Sequence, residues 1–146
     1  MEPILLGHLV AGIGLALSFG GLTFFSAVMA PLVFIKLPAG TAGGFIRQAF
    51  TWYYLAMGSA SLVALVGLLI NRSFAFGWET LLTVLVFPGL VFARQVLLPQ
   101  INRSRDADLA GEAGAAERFS RLHRASVVIN AAQWLAVLAV LIVVLL

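Results

Sequence analysis

Four long stretches without a charge organise the chain, and nearly every charged residue falls between them. The first covers residues 3–35, bounded by Glu2 and Lys36. A helix of that length reaches about 50 Å, more than a ~30 Å hydrocarbon core requires. The pattern therefore predicts a long or tilted helix over residues 4–30, which Pro31 ends or kinks. A Gly-rich link over residues 37–44 leads to a second helix at 48–71. After Asn71-Arg72-Ser73 a third is expected at 78–98, with Glu79 at its start, Pro88 in its middle and Arg94 near its end. Pro88 lacks a backbone donor, a loss that neighbouring helices compensate. A polar cytoplasmic loop is expected over 99–119, and a fourth helix over 120–145. Its Ala-Gly-Glu-Ala-Gly-Ala-Ala-Glu-Arg-Phe lead-in has helical character, so this helix starts before it enters the bilayer. The fold class is all-α: an integral membrane four-helix bundle formed by one domain, residues 1–146.

Composition supports this pattern. Of the 146 residues, 62% are hydrophobic and 10% charged, against roughly half and a quarter in soluble domains. The excess apolar surface is expected to face lipid. The first stretch is too long for a cleavable signal and lacks a basic n-region. There is no cysteine, which excludes disulfides, thiolate catalysis and Cys-built metal sites. Phosphate-loop, HExxH and nucleophile-elbow signatures are missing as well. Gly12-x-Gly14 lies inside an apolar helix, where it reads as packing. The net charge of +3 comes from arginines flanking apolar spans, a membrane pattern and not a nucleic-acid one.

Charge also sets an orientation. Lys36 and Arg47 flank the first connection. Arg94, Arg103, Arg105, Arg118, Arg121 and Arg124 surround the third, and Arg72 stands alone on the opposite side. The positive-inside rule places the arginine-rich side in the cytoplasm and both termini outside. Trp52, Tyr53 and Tyr54 fit one interfacial belt, and Phe74, Phe76 and Trp78 the other.

Small residues recur every four positions at Gly12, Ala16 and Gly20, at Ala56, Ala60 and Ala64, and at Ala132 and Ala136. That spacing predicts close helix packing, within the bundle or between chains. Polar residues gather toward the cytoplasmic half: Thr23 and Ser26, Tyr53 and Tyr54, Arg94, and His123, Ser126, Asn130 and Gln133 on one face of the fourth helix. They predict either interhelical hydrogen bonding or a site for an anionic ligand or lipid headgroup, with Arg94, His123, Asn130 and Gln133 as its candidates. No catalytic residue is indicated. His8 and His123 are candidate haem or copper ligands, yet the topology sets them nearly a bilayer apart.

Three segments carry a family resemblance. One runs from Gly20-Gly21 through Thr23-Phe24-Phe25-Ser26 to Ala30-Pro31-Leu32-Val33-Phe34. Another is Gly43-Gly44-Phe45-Ile46-Arg47-Gln48-Ala49-Phe50, followed by Tyr53-Tyr54. The third joins Leu98-Pro99-Gln100-Ile101 with Phe119-Ser120-Arg121-Leu122-His123-Arg124-Ala125-Ser126 and Asn130. Together they resemble bacterial members of the transmembrane protein 205-like family, a domain of unknown function. That resemblance implies a four-helix membrane bundle. Its human namesake's association with platinum-drug resistance implies export or trafficking of a metal or xenobiotic. A looser similarity, His8 ahead of the Gly20 to Pro31 run, links the chain to copper-resistance and haem-biosynthesis membrane proteins.

The residues and the resemblance lead to one preferred expectation and two alternatives. The preferred one is a non-enzymatic accessory or scaffold subunit of a membrane assembly, with no cofactor. Its expected partners are membrane lipid and copies of itself or other membrane subunits, not nucleic acid. The alternatives are a transport or efflux component for a metal or xenobiotic, and a haem- or copper-handling membrane protein.

Overall fold

The computed structural model describes residues 2–146, apart from the side chain at position 39. Four helices account for nearly all of it: α1 (Pro3–Lys36), α2 (Ala39–Ile70), α3 (Trp78–Leu109) and α4 (Ala115–Leu145). No strand occurs among the described residues. The helices are antiparallel to their chain neighbours. Each of α1 and α3 packs against both α2 and α4, which closes a four-cornered bundle.

Outward positions carry large apolar side chains along the whole length. Leu9, Ile13 and Leu17 of α1, Leu62 and Leu69 of α2, Leu81 and Leu85 of α3, and Val128, Leu135 and Ile142 of α4 are all exposed. A surface of this kind is stable against lipid tails and not against water. The protein is a multi-pass membrane protein.

Lipid offers no hydrophobic drive for helix association, so the bundle depends on how closely backbones approach. The closest approach is between α1 and α2. A Cβ added to Gly14 would strike the backbone of Ala60 and Ala64, and one added to Gly67 would strike that of Gly7 and Ala11. A Cβ on Gly7 would lie 2.6 Å from the Asn71 nitrogen. The Ser18 and Ser61 hydroxyls meet in the same seam at 3.5 Å. The working stripe of α1 is therefore Gly7, Ala11, Gly14 and Ser18.

Within the bundle, this differs from the stripe expected from the sequence. Ala16 and Gly20 are exposed, and Gly12 only approaches Val144, at 4.0 Å. Of the expected α2 stripe, Ala60 and Ala64 are buried in the seam and Ala56 is exposed. On α4, Ala132 is exposed and Ala136 half-buried. Both phases of α1 carry small residues every three or four positions. The phase that packs is the one that leaves Leu9, Ile13 and Leu17 facing outward.

The helices are also longer than their apolar runs. Pro31 is exposed and does not stop α1, which continues to Lys36. The turn over Phe25–Met29 is a wide π-helical one, in which the Ala30 N–H bonds back five residues to the Phe25 carbonyl. A proline ring strikes the carbonyl four residues earlier in a regular helix, here Ala27, which lies inside the wide turn. The device recurs in α3, where a π turn over Ala93–Leu97 precedes Pro99 and contains Gln95, four residues before it. Pro88 lies in regular helix.

The Gly-rich link expected over 37–44 shortens to Leu37 and Pro38, because Ala42 and Ile46 are buried in the core and hold the first turns of α2 in place. The polar loop expected over 99–119 is mostly helix. A turn of five residues joins α3 to α4, closed by Gly111 N–H to Asp108 O and Glu112 N–H to Ala107 O, both 3.0 Å. Gly111, with φ of +78°, has the left-handed geometry of a Schellman-type helix end, and Gly114, with φ of +75°, takes the same region as the residue that opens α4.

Enlarging the seam glycines tests this packing. Gly14→Val and Gly67→Val should each cost about 1–3 kcal/mol of stability, read as a lower midpoint in denaturing-detergent titrations followed by circular dichroism. Gly20→Val, on the outward face, should stay within about 0.5 kcal/mol of the parent.

Candidate functional site

Antiparallel connectivity sorts the charges by end. One end carries the 37–38 and 110–114 connections and eight of the nine basic residues, all but Arg72. The polar side chains expected as one cluster do lie toward this end, but they point into three different places.

The first place is the crevice between α1 and α4, backed by α2. Asn130 stands at its centre. Its carbonyl accepts from the Tyr53 hydroxyl at 2.9 Å, and its amide donates to Ser26 Oγ, also at 2.9 Å. One turn deeper, the Trp134 indole N–H donates to Thr23 Oγ1 at 2.8 Å, and the Thr23 hydroxyl bonds back to the Phe19 carbonyl at 2.7 Å. Tyr53 is fixed from behind by Phe25, with ring centroids 4.2 Å apart, while Phe50 and Tyr54 complete the aromatic cluster. These groups use one another as partners, which is how polar side chains become tolerable in hydrocarbon.

The second place is the α3–α4 contact. Gln133 is buried, and its amide donates to the Val86 carbonyl at 3.4 Å. Gly89 makes room for it: an added Cβ there would lie 2.7 Å from Gln133 Nε2. Gln133 therefore ties two helices together and faces no open space.

The third is a lipid-facing groove of about 270 Å³ between α2 and α3. Gly58, Leu62, Phe87 and Val91 form its apolar part, and Tyr54 and Arg94 close its arginine-rich end. Arg94 belongs to the π turn of α3. It is half-buried, and its Nε is buried without a hydrogen-bond partner.

His123 joins none of these. It is exposed and stacks on Phe119, with centroids 5.8 Å apart and planes 10° from parallel. His8 lies at the other end of the bundle, tilted against Phe74 at 6.4 Å. No group of three or more His, Asp or Glu side chains converges as a metal site among the described residues.

Past the apolar span, the end of α3 and the start of α4 form a polar hairpin. Arg105 lies over the Phe119 ring at 5.2 Å and bonds Asp108 at 3.2 Å. Arg47 of α2 makes a two-pronged pair with Asp106. Hydrogen bonding from Arg47 holds the Asp106 carboxyl below the usual carboxylate range.

Sequence reasoning found the polar residues and the end they occupy. It did not find the Trp134–Thr23 bond, although Trp134 lies one turn beyond Asn130 on the same face. Nor did it find the groove, whose signal is a missing side chain at Gly58.

These features define a small four-helix membrane protein with interhelical hydrogen bonds and a groove between α2 and α3. Residues 13–108 match the family described as Domain of unknown function (DUF4149), and the chain belongs to that family. No curated protein and no solved structure is significantly similar to it.

Removing the central hydrogen bonds should loosen the bundle by modest amounts. Tyr53→Phe and Asn130→Leu are each expected to cost about 0.5–1.7 kcal/mol, the span measured for interhelical bonds in membranes. The double variant should cost less than the sum of the two, because each single change already breaks the shared bond. The same unfolding titrations measure all three.

Proposed function

We propose that the chain is a non-enzymatic accessory or scaffold subunit of a membrane assembly, set in a bacterial inner membrane with both termini outside. One observation carries this reading: the middle of the bundle is filled. Ala11, Leu15, Ala64, Leu68, Val140 and Val144 are at most 1% exposed and pack across the interior where a solute path would have to run. The polar groups to one side of this plug are engaged with one another.

The plug also weighs against a transport or efflux component working within a single chain, the activity implied by likeness to the transmembrane protein 205-like family. A haem or copper role draws little support, since His8 and His123 sit at opposite ends and no His, Asp or Glu group converges on either among the described residues. The orientation rests on the charge asymmetry, with eight basic residues at one end and Arg72 at the other.

Purification in mild detergent, followed by mass spectrometry, should recover either a homo-oligomer or a stoichiometric membrane partner. A strictly monomeric, partner-free species would count against the proposal. Liposomes containing the chain should show no flux of metal ions or organic cations above the protein-free background. Tags placed beside Glu2 and Leu146 should be digested by protease added outside intact spheroplasts; digestion only after lysis would reverse the orientation.

A further inference from the structure

Among the charged side chains toward the arginine-rich end, Arg94 is distinctive in its surroundings. The ion pairs among the described residues are Arg47–Asp106 and Arg105–Asp108, and neither includes it. Its Nε is shielded by protein and bonded to nothing. An arginine lying sixteen residues past Trp78 is about 24 Å along α3, close to the edge of a ~30 Å hydrocarbon core. At that depth a guanidinium without an anion is costly. The acidic side chains offer no remedy: Glu2 and Glu79 belong to the opposite end, while Asp106, Asp108, Glu112 and Glu117 belong to the polar hairpin.

The groove beside Arg94 supplies the other half of a site. From Arg94 it runs toward the middle of the bilayer, past Leu55 and Gly58 to Leu62 and Phe87. The seven residue steps from Leu55 to Leu62 span about 10 Å. Its wall is mostly apolar, with Ser59 the polar residue along it and Gln95 near Arg94, and it opens sideways to lipid. Gly58 keeps it open: a Cβ added there would meet only Phe87, at 3.9 Å.

We propose that this groove is a binding site for one anionic phospholipid. The Arg94 guanidinium takes the phosphate, and an acyl chain lies along Leu55, Gly58, Leu62 and Phe87. The charge and the apolar wall occur in the order, and at the depth, in which a phospholipid presents its own parts. A net-negative lipid is favoured over a zwitterionic one because its phosphate carries no compensating cation. The site does not depend on the accessory role proposed above, and its test reads lipid binding alone.

Native mass spectrometry of the full chain in detergent tests it, with phosphatidylglycerol and phosphatidylcholine as the titrated probes. Phosphatidylglycerol should be retained at concentrations roughly five-fold or more below those needed for phosphatidylcholine, whose choline ammonium offsets its phosphate charge. Arg94→Leu should abolish that preference. Gly58→Leu fills the groove without touching Arg94, and should weaken retention of both lipids. Circular dichroism confirms that each variant is folded, and Gly58→Leu carries the test if Arg94→Leu is not. Equal retention of the two lipids by the parent chain would overturn the proposal. So would an unchanged phosphatidylglycerol preference in Arg94→Leu, or unchanged retention in Gly58→Leu. Displacement of the lipid by millimolar inorganic phosphate would make this a site for free anions, and would overturn it as well.

Discussion

Helices that already sit in lipid gain almost nothing by hiding apolar surface from one another, so contact must come from backbone proximity. In this bundle that proximity is concentrated between α1 and α2. Gly7, Ala11 and Gly14 on one side meet Ala60, Ala64 and Gly67 on the other, and no side chain separates the two backbones. The seam sets the position of Phe25 and Tyr53, and through them the point at which Asn130 of α4 can bond. Remove the small residues and the hydrogen-bonded crevice loses its geometry. The converse dependence is weaker, because none of those bonds lies in the seam.

Proline shapes the other half of the architecture. Pro31 and Pro99 each follow a π turn that contains the carbonyl their rings would strike. Both turns lie toward the arginine-rich end, and each places a polar side chain against a neighbouring feature: Ser26 beside Asn130, and Arg94 at the mouth of the α2–α3 groove. π turns are often found where a helix presents functional groups. Here they let helices of more than thirty residues pass a proline without breaking.

The sequence made the spans, their order and the charged end legible, because hydrocarbon tolerates few charges and a missing charge is easy to read. It did not make the packing phase legible. Gly12, Ala16 and Gly20 share a spacing with Gly7, Ala11, Gly14 and Ser18, and lipid-facing and buried positions are equally apolar. Only three-dimensional contact separates them. Residues 99–109 looked like a loop because they are charged, yet helical hydrogen bonding and the glycine turn at 111–114 carry α3 beyond the apolar region. The polar candidates lie toward one end, but an end has several faces. Asn130 and Gln133, three residues apart on α4, reach different neighbours, and Arg94 faces a third direction.

The hairpin at the end of α3 gives the positive charge a fixed setting. Leu98 to Leu109 continues as helix, about 16 Å of additional rod at 1.5 Å per residue. Arg103 and Arg105 are therefore mounted on a stiff post, where a tether would have let them wander. The Asp106–Arg47 pair braces that post against α2. A molecule arriving from this side of the membrane would meet arginines whose backbone positions are already set, so recognition there would order side chains and not backbone.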